Sequence, residues 1–138
     1  MSDNDKNASA DKRLRPRELR LRRKSRLLEL HYGDDRVVQL DWEFLRVHSP
    51  SAEVRGHHPS QAVLQTGKRD VGIVELKPVG HYALQIVFDD GHDSGLYSWA
   101  YLDQLARERD RLWRHYLEAL EAEGGSRDPH TQVLHFQP

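Results

Sequence analysis

The chain has 138 residues, of which 37% are hydrophobic and 31% are charged, and its 21 basic residues are almost balanced by 22 acidic ones. This length supports one compact domain with a single core and is too short for two ordinary domains. Because the sequence contains no cysteine, disulfide bridges, a thiolate nucleophile and thiolate metal ligands are excluded.

The N-terminal segment is polar and basic. Residues 1–17 have no periodic apolar pattern and cannot bury enough surface to offset the entropy of ordering, so we predict a disordered basic tail. The positive charge continues, because residues 12–26 hold nine basic side chains against Glu18 alone. This run is a candidate nucleic-acid contact. However, Arg20 and Arg22 alternate with leucines as the exposed side of a strand would, and no aromatic residue that could stack on a base lies among them.

Six segments have the composition or the alternation of short strands. They lie at residues 19–22, 28–30, 37–40, 71–76, 83–88 and 92–97. Residues 32–35 have the composition of a turn, and Asp89, Asp90 and Gly91 form the short turn of a hairpin. Conformational preference explains these aspartates, with Asp93, better than acid–base catalysis does. The sequence therefore predicts a small, mainly antiparallel sheet.

Two segments between the strands are less regular. Residues 41–45 fit a single helical turn that places Trp42 and Leu45 in the core. Residues 49–68 contain two prolines, two glycines and few apolar residues. A loop of this length inside a compact domain is usually functional or mobile, so we expect this loop to carry function.

The C-terminal part predicts one long amphipathic helix that begins after Ser98 as N-cap and ends at Gly124. At 1.5 Å per residue it would be about 37 Å long. Its distal half, residues 113–120, is then a candidate homodimer contact. We predict an α+β fold in which the sheet packs on this helix. Residues 18–123 form the single domain, and residues 124–138 form a flexible C-terminal tail.

Three segments carry a family resemblance. Residues 45–56, 65–69 and 82–99 resemble the gamma-butyrobetaine hydroxylase-like N-terminal domain family in its bacterial stand-alone form, and the resemblance extends from about Leu19 to Leu105. Related domains occur fused to hydroxylases of the carnitine pathway and to Mrp-type iron–sulfur carrier ATPases. The resemblance implies an accessory domain of uncharacterised role, since catalysis in those hydroxylases belongs to a different domain.

The resemblance also raises the question of whether the chain binds a metal ion. Eukaryotic hydroxylases of this kind hold a structural zinc with three cysteines and one histidine, at positions that correspond here to Ser49, Ser51, Val54 and His92. Serine and valine do not replace thiolates, so we expect no zinc at this place and no cofactor. We predict instead that the hydroxyl of Ser49 or Ser51 contacts His92. Zinc or iron held by His92 with other ligands is the alternative.

We find no residue set for catalysis, because metal-binding, phosphate-loop and nucleophile-elbow spacings are all absent. A non-catalytic module that binds another protein is therefore the main functional prediction. The predicted binding surface consists of Arg46, Arg55, His57, Lys68, Arg69, His92, Ser94 and Tyr97. A metal-binding or oxidoreductase-associated domain and a nucleic-acid-binding protein are the alternatives. No segment is apolar and long enough for a membrane span or signal peptide, so we expect a cytoplasmic protein.

Overall fold

The computed structural model describes residues 14–131 and contains two antiparallel sheets of three strands each. In both sheets the strands are adjacent in chain order, as short hairpin connections require. The first sheet consists of β1 (Glu18–Arg22), β2 (Leu27–His31) and β3 (Val37–Asp41). The second sheet consists of β4 (Ile73–Val79), β5 (Ala83–Phe88) and β6 (Leu96–Ser98).

Four α-helices accompany the sheets within the described residues. They are α1 (Trp42–Val47), α2 (Ala52–Arg55), α3 (Trp99–Arg107) and α4 (Arg109–Glu123), and a short 3-10 helix spans Pro59–Gln61. Ser98 caps α3, because its Oγ accepts a hydrogen bond from the Tyr101 N–H at 3.0 Å. Gly124 ends α4 in the left-handed conformation with φ of 65°. Within residues 14–131, no helix combines the length and apolarity that crossing a bilayer requires.

The α+β class is confirmed, but four details differ from the prediction. The predicted loop, residues 49–68, contains α2 and the short 3-10 helix. The strands form two sheets rather than one, since among the described strands β3 pairs only with β2 and β4 pairs only with β5. The predicted single helix divides at Glu108, although the Glu108 N–H and carbonyl still bond to Gln104 and Leu112. The return strand begins at Leu96 rather than at residue 92, since only Leu96–Ser98 of this segment pair with β5, while the His92 and Ser94 side chains contact Ser49 and Ser51.

One hydrophobic core joins the two sheets. Leu84, Ile86 and Phe88 of β5 alternate inwards and are almost fully buried, as the period of two predicts. They pack in one cluster with residues of β2, β3, α1 and α3, including Trp42 and Leu45, whose burial is confirmed. A second, smaller cluster consists of Val47, Tyr116 and Leu120.

The chain after α4 folds back against the end of the long loop and the residue that follows it. The Gly67 N–H donates to the Ser126 carbonyl at 2.8 Å, and the Arg69 N–H donates to the Arg127 carbonyl at 3.1 Å. The predicted tails comprise residues 1–17 and 124–138. Of these, residues 1–13 and 132–138 lie outside the described part of the chain. The described part of the C-terminal segment therefore contributes to the packed structure.

Candidate functional site

Two loops that are distant in sequence meet in a polar cluster, named here the His92 cluster: Ser49, Ser51, Glu53, His92 and Ser94. The loop between α1 and α2 supplies Ser49 and Ser51, the first turn of α2 supplies Glu53, and the β5–β6 connection supplies the other two. Ser49 Oγ lies 2.7 Å from His92 Nε2, and Ser51 Oγ lies 2.7 Å from Ser94 Oγ. The predicted contact between Ser49 and His92 is confirmed.

The hydrogen-bond partners define the tautomer of His92. The Glu53 carboxylate, 3.2 Å from Nδ1, can only accept, so Nδ1–H is the donor. In the neutral ring Nε2 then accepts from the Ser49 hydroxyl. The Ser49 oxygen in turn accepts the Ser51 N–H at 3.3 Å. The cluster thus uses the full hydrogen-bonding capacity of a neutral His92.

The order serine, histidine, carboxylate has the connectivity of a nucleophilic triad, but its surroundings do not suit catalysis. Ser49 has no exposed surface. Gly95 covers the hydroxyl so closely that a Cβ at residue 95 would lie 2.4 Å from Ser49 Oγ. A nucleophile must reach its substrate, so we assign the cluster a structural role in holding the two loops together.

The same residues do not fit the zinc site that the resemblance implies. The Ser49 oxygen is engaged by His92, and Val54 has no donor atom. Within residues 14–131, no three histidine or carboxylate side chains converge as metal ligands would.

An ion cluster around Asp90 holds the long loop next to the His92 cluster. Asp90 Oδ2 accepts from Arg46 Nε at 2.9 Å and from Lys68 Nζ at 2.7 Å, while Oδ1 accepts the His92 N–H at 3.2 Å. Burial acts to raise the pKa of Asp90, but Lys68 and Arg46 together bring that pKa below its ordinary value. Gln65 completes the contacts by accepting from Arg46 at 3.0 Å.

Only some residues of the predicted binding surface are exposed. Arg46, His92 and Tyr97 are buried, and this corrects their placement. The partners explain the burial: Arg46 pairs with Asp90, His92 belongs to its cluster, and the Tyr97 hydroxyl donates to the Leu45 carbonyl at 2.5 Å. Arg55, His57, Arg69 and Ser94 are exposed, and Lys68 is partly exposed and paired with Asp90.

The basic run is partly neutralised where the structure describes it. Arg20 pairs with Glu18 at 2.8 Å, and Arg22 pairs with Glu29 at 3.0 Å. Lys12 and Arg13 lie outside the described residues. Arg23 and Lys24 are exposed at the turn between β1 and β2.

An apolar groove of about 310 Å³ lies beside the His92 cluster and is named here the α4 groove. The end of α1, residues 62–65 of the long loop, and the faces of α3 and α4 form its walls. Its apolar lining includes Val54, Val63, Leu64 and Ala119, and its polar and aromatic lining includes His48, Arg55, Tyr101, His115 and Tyr116. The Tyr101 hydroxyl of α3 donates to the His48 carbonyl at 2.6 Å, and the Tyr116 hydroxyl of α4 donates to the Gln65 carbonyl at 2.7 Å. These bonds hold the end of α1 and the long loop against the two helices.

Sequence reasoning missed the histidines of this groove. His48 Nδ1 lies 2.9 Å from the Phe44 carbonyl, which only accepts, so Nδ1 carries a proton and Nε2 is an acceptor in the neutral ring. Burial lowers the pKa of His48, the bond to Phe44 opposes this shift, and His115 lowers the pKa further. The sequence contained one signal for this groove. Tyr116 lies in the apolar stripe of the helix, so its side chain had to pack against another part of the chain.

Acid is expected to destabilise the protein through His48 and His92. Burial lowers the pKa of His92 and Arg46 adds to this effect, while Glu53 and Asp90 oppose it. Because both folded-state pKa values lie below the ordinary 6.5, the unfolded chain binds more protons below that pH. The free energy of unfolding should therefore be fully retained above pH 6.5 and should decrease as pH falls through the folded-state values.

Urea unfolding between pH 7.5 and 5 measures this dependence. His92→Gln should flatten the profile in that range, whereas the exposed control His57→Gln should leave it unchanged. An equal slope in all three proteins would contradict the assignment.

The distal half of α4 packs within its own chain. Tyr116 and Leu120 are buried against Val47 and Leu64, and Leu117 is 39% exposed. The length of the helix therefore does not by itself require a second copy, and the homodimer stays a prediction.

The chain is similar to a known protein family and to several solved structures. A family model described as gamma-butyrobetaine hydroxylase-like, N-terminal, matches residues 19–103. One NMR solution structure is 51% identical, with 89% of this chain and 97% of that chain covered and a TM-score of 0.72. A second NMR structure is 46% identical, with 88% and 91% covered and a TM-score of 0.70.

A crystal structure from Acidithiobacillus ferrooxidans is also similar, at 39% identity, with 68% of this chain and 94% of that chain covered and a TM-score of 0.57. It is described as a protein of unknown function of the DUF971 family. No protein with a curated description matches the chain.

Proposed function

The chain belongs to the gamma-butyrobetaine hydroxylase-like, N-terminal family, and from this premise we propose that it is a non-catalytic accessory module that binds another protein. The α4 groove is the observation that carries the proposal. It is an apolar concave surface on a module whose most catalysis-like side chains, Ser49 and His92, are buried. In this proposal the partner is an enzyme that the module serves in trans, of the hydroxylase or iron–sulfur kind.

The lining of the groove defines the chemistry of the segment that it would take. Val63 is 56% exposed at the rim, next to the apolar side chains inside. Exposed apolar surface beside a groove favours an apolar side chain of a partner. Arg55 lies at the same rim, with its guanidinium 4.5 Å from the Tyr101 ring centre, and it has no carboxylate partner among the described ion pairs. We therefore propose that the bound segment combines an apolar anchor with a neighbouring carboxylate.

Site-specific crosslinking in the native host tests this proposal. A photo-crosslinking amino acid replaces Val63 in one variant and Val74, which is 54% exposed on the second sheet, in a matched control. We expect a discrete adduct at position 63 and none at position 74. The captured protein is then purified and its affinity for the module is measured directly.

Charge reversal at the rim of the groove tests the same proposal through a measured affinity. Loss of a charge-assisted contact should weaken the purified complex about tenfold or more in Arg55→Glu, without a change in melting temperature. Lys24→Glu reverses an equally exposed charge outside the groove and should bind normally. Lys68→Glu is unsuitable as a test, because it would place a second carboxylate beside Asp90. Equal adducts at positions 63 and 74, or normal affinity of Arg55→Glu, would contradict the proposal.

A further inference from the structure

A second concave site also uses side chains of α4 and is named here the arginine pocket. It encloses about 330 Å³ and is lined by four arginines, Arg26, Arg69, Arg109 and Arg127. Two carboxylates, Asp41 and Glu43, and two tryptophans, Trp42 and Trp113, complete the part of its lining that matters here. We infer that the arginine pocket binds the phosphate group of a small phosphorylated ligand.

The charges of the pocket carry the argument. Arg127 holds Glu43 with two hydrogen bonds of 2.6 and 2.8 Å, and Arg109 holds Asp41 at 2.8 Å. Both carboxylates of the pocket are thereby paired. Two further guanidinium groups remain, those of Arg26 and Arg69. Arg26 has no carboxylate partner among the described ion pairs, whereas Asp128 and Asp70 lie 3.5 and 3.9 Å from Arg69 and offset part of its charge. A phosphate monoester, with about 1.5 to 2 negative charges at neutral pH, would compensate the positive charge that remains.

The two remaining arginines retain donor capacity. Arg26 donates to the Val71 carbonyl at 2.5 Å and lies over the Trp42 ring at 4.9 Å. Arg69 is half exposed, and its nearest carboxylates, Asp128 and Asp70, lie at 3.5 and 3.9 Å. A guanidinium has five N–H donors in a planar fork that matches phosphate oxygens. These side chains are therefore able to bind an oxyanion without breaking an existing short ion pair.

The tryptophans indicate which part of a ligand is recognised. Trp42 lines the pocket, and its buried indole N–H has no acceptor within the described chain, which is a rare condition. The Trp113 ring has close neighbours, with Arg127 at 5.1 Å and the Tyr116 ring at 5.3 Å. Neither ring is free to stack on a nucleobase. The pocket is therefore suited to the phosphate group rather than to a base.

Indole N–H signals in NMR spectra provide a direct test, because the chain has three tryptophans. We titrate the full chain with inorganic phosphate, with glycerol 3-phosphate and with sodium chloride at matched ionic strength. The Trp42 and Trp113 signals should shift in a saturable manner with a phosphate probe. The Trp99 signal should not move, since its N–H donates to the His81 carbonyl at 2.9 Å outside the pocket. Tighter binding of the monoester would show that recognition extends beyond the phosphate.

Substitution of the exposed arginine separates binding from folding. Arg69→Gln should lower the affinity for the phosphate probe about tenfold, the effect of losing a hydrogen bond to a charged group, and should leave the melting temperature unchanged. Arg114→Gln makes the same charge change on exposed surface outside the pocket and should bind like the parent. Identical shifts with chloride, or saturation by a single-stranded oligonucleotide but by neither phosphate probe, would overturn the inference.

Discussion

Arg127→Met is expected to lower the free energy of unfolding by about 3 kcal/mol, because it leaves a buried carboxylate without its partner. The Glu43 side chain is only 8% exposed, and Arg127 holds both of its oxygens. Methionine keeps most of the aliphatic stem that packs near Trp113, so the change isolates the loss of charge. Urea unfolding at pH 7 measures the effect.

Two further variants distinguish the effect of breaking a buried ion pair from the effect of removing a surface charge. Arg20→Met breaks an ion pair whose members are 46% and 53% exposed, and it should leave the free energy of unfolding almost unchanged because solvent screens the pair. The double variant Glu43→Leu/Arg127→Met removes the carboxylate as well and should recover most of the loss. If Arg127→Met were no more destabilising than Arg20→Met, the pair would not anchor the C-terminal segment.

Gly95→Ala is expected to destabilise the protein by about 2 kcal/mol, the usual cost of forcing an extra methyl group into a packed site. A Cβ at residue 95 would lie 2.4 Å from Ser49 Oγ and 3.2 Å from Pro50 Cδ. The methyl group must therefore displace the hydroxyl that bonds to His92. Thermal and urea unfolding report the stability, and the NMR signals of the His92 ring report the broken contact.

A double-mutant cycle tests the cause of that loss. Ser49→Ala alone should cost about 1 to 3 kcal/mol, since it leaves His92 Nε2 buried without a donor. In Gly95→Ala/Ser49→Ala the clash with the hydroxyl is gone, so the combined loss should be smaller than the sum of the two single losses. Additive losses would show that the residue 95 methyl group acts elsewhere. Gly91→Ala is no suitable control, because Gly91 has φ of 86° and would suffer backbone strain.

The fold could be predicted where local patterns dominate. Alternation in residues 83–88, turn composition around Gly91 and the cap at Ser98 are properties of a few neighbouring residues. The division into two sheets depends on which strands share hydrogen bonds, and no local period records that choice. The bend at Glu108 was equally hidden, because the helical hydrogen bonds continue on both sides of it.

The site was harder to predict for a related reason. The contact between Ser49 and His92 followed from a family resemblance, not from spacing. Burial of Arg46 and Tyr97 depends on Asp90 and on the Leu45 carbonyl, partners 44 and 52 residues away in the chain. Charged and hydroxyl side chains usually indicate surface, and only tertiary contacts reverse that expectation. The α4 groove combines walls from three separate segments and has no signature in any one of them.

Helix α4 belongs to two sites at once. Arg109 and Trp113 line the arginine pocket, whereas His115 and Tyr116 line the α4 groove. The Trp113 and Tyr116 rings touch, with centres 5.3 Å apart, so the two linings meet across one turn of the helix. A ligand that displaces this helix on one side must alter the shape of the other side. If the occupant of one site changes the affinity of the other site, thermodynamic reciprocity requires the second occupant to change the affinity of the first site by the same factor. Helix α4 would then couple the two sites.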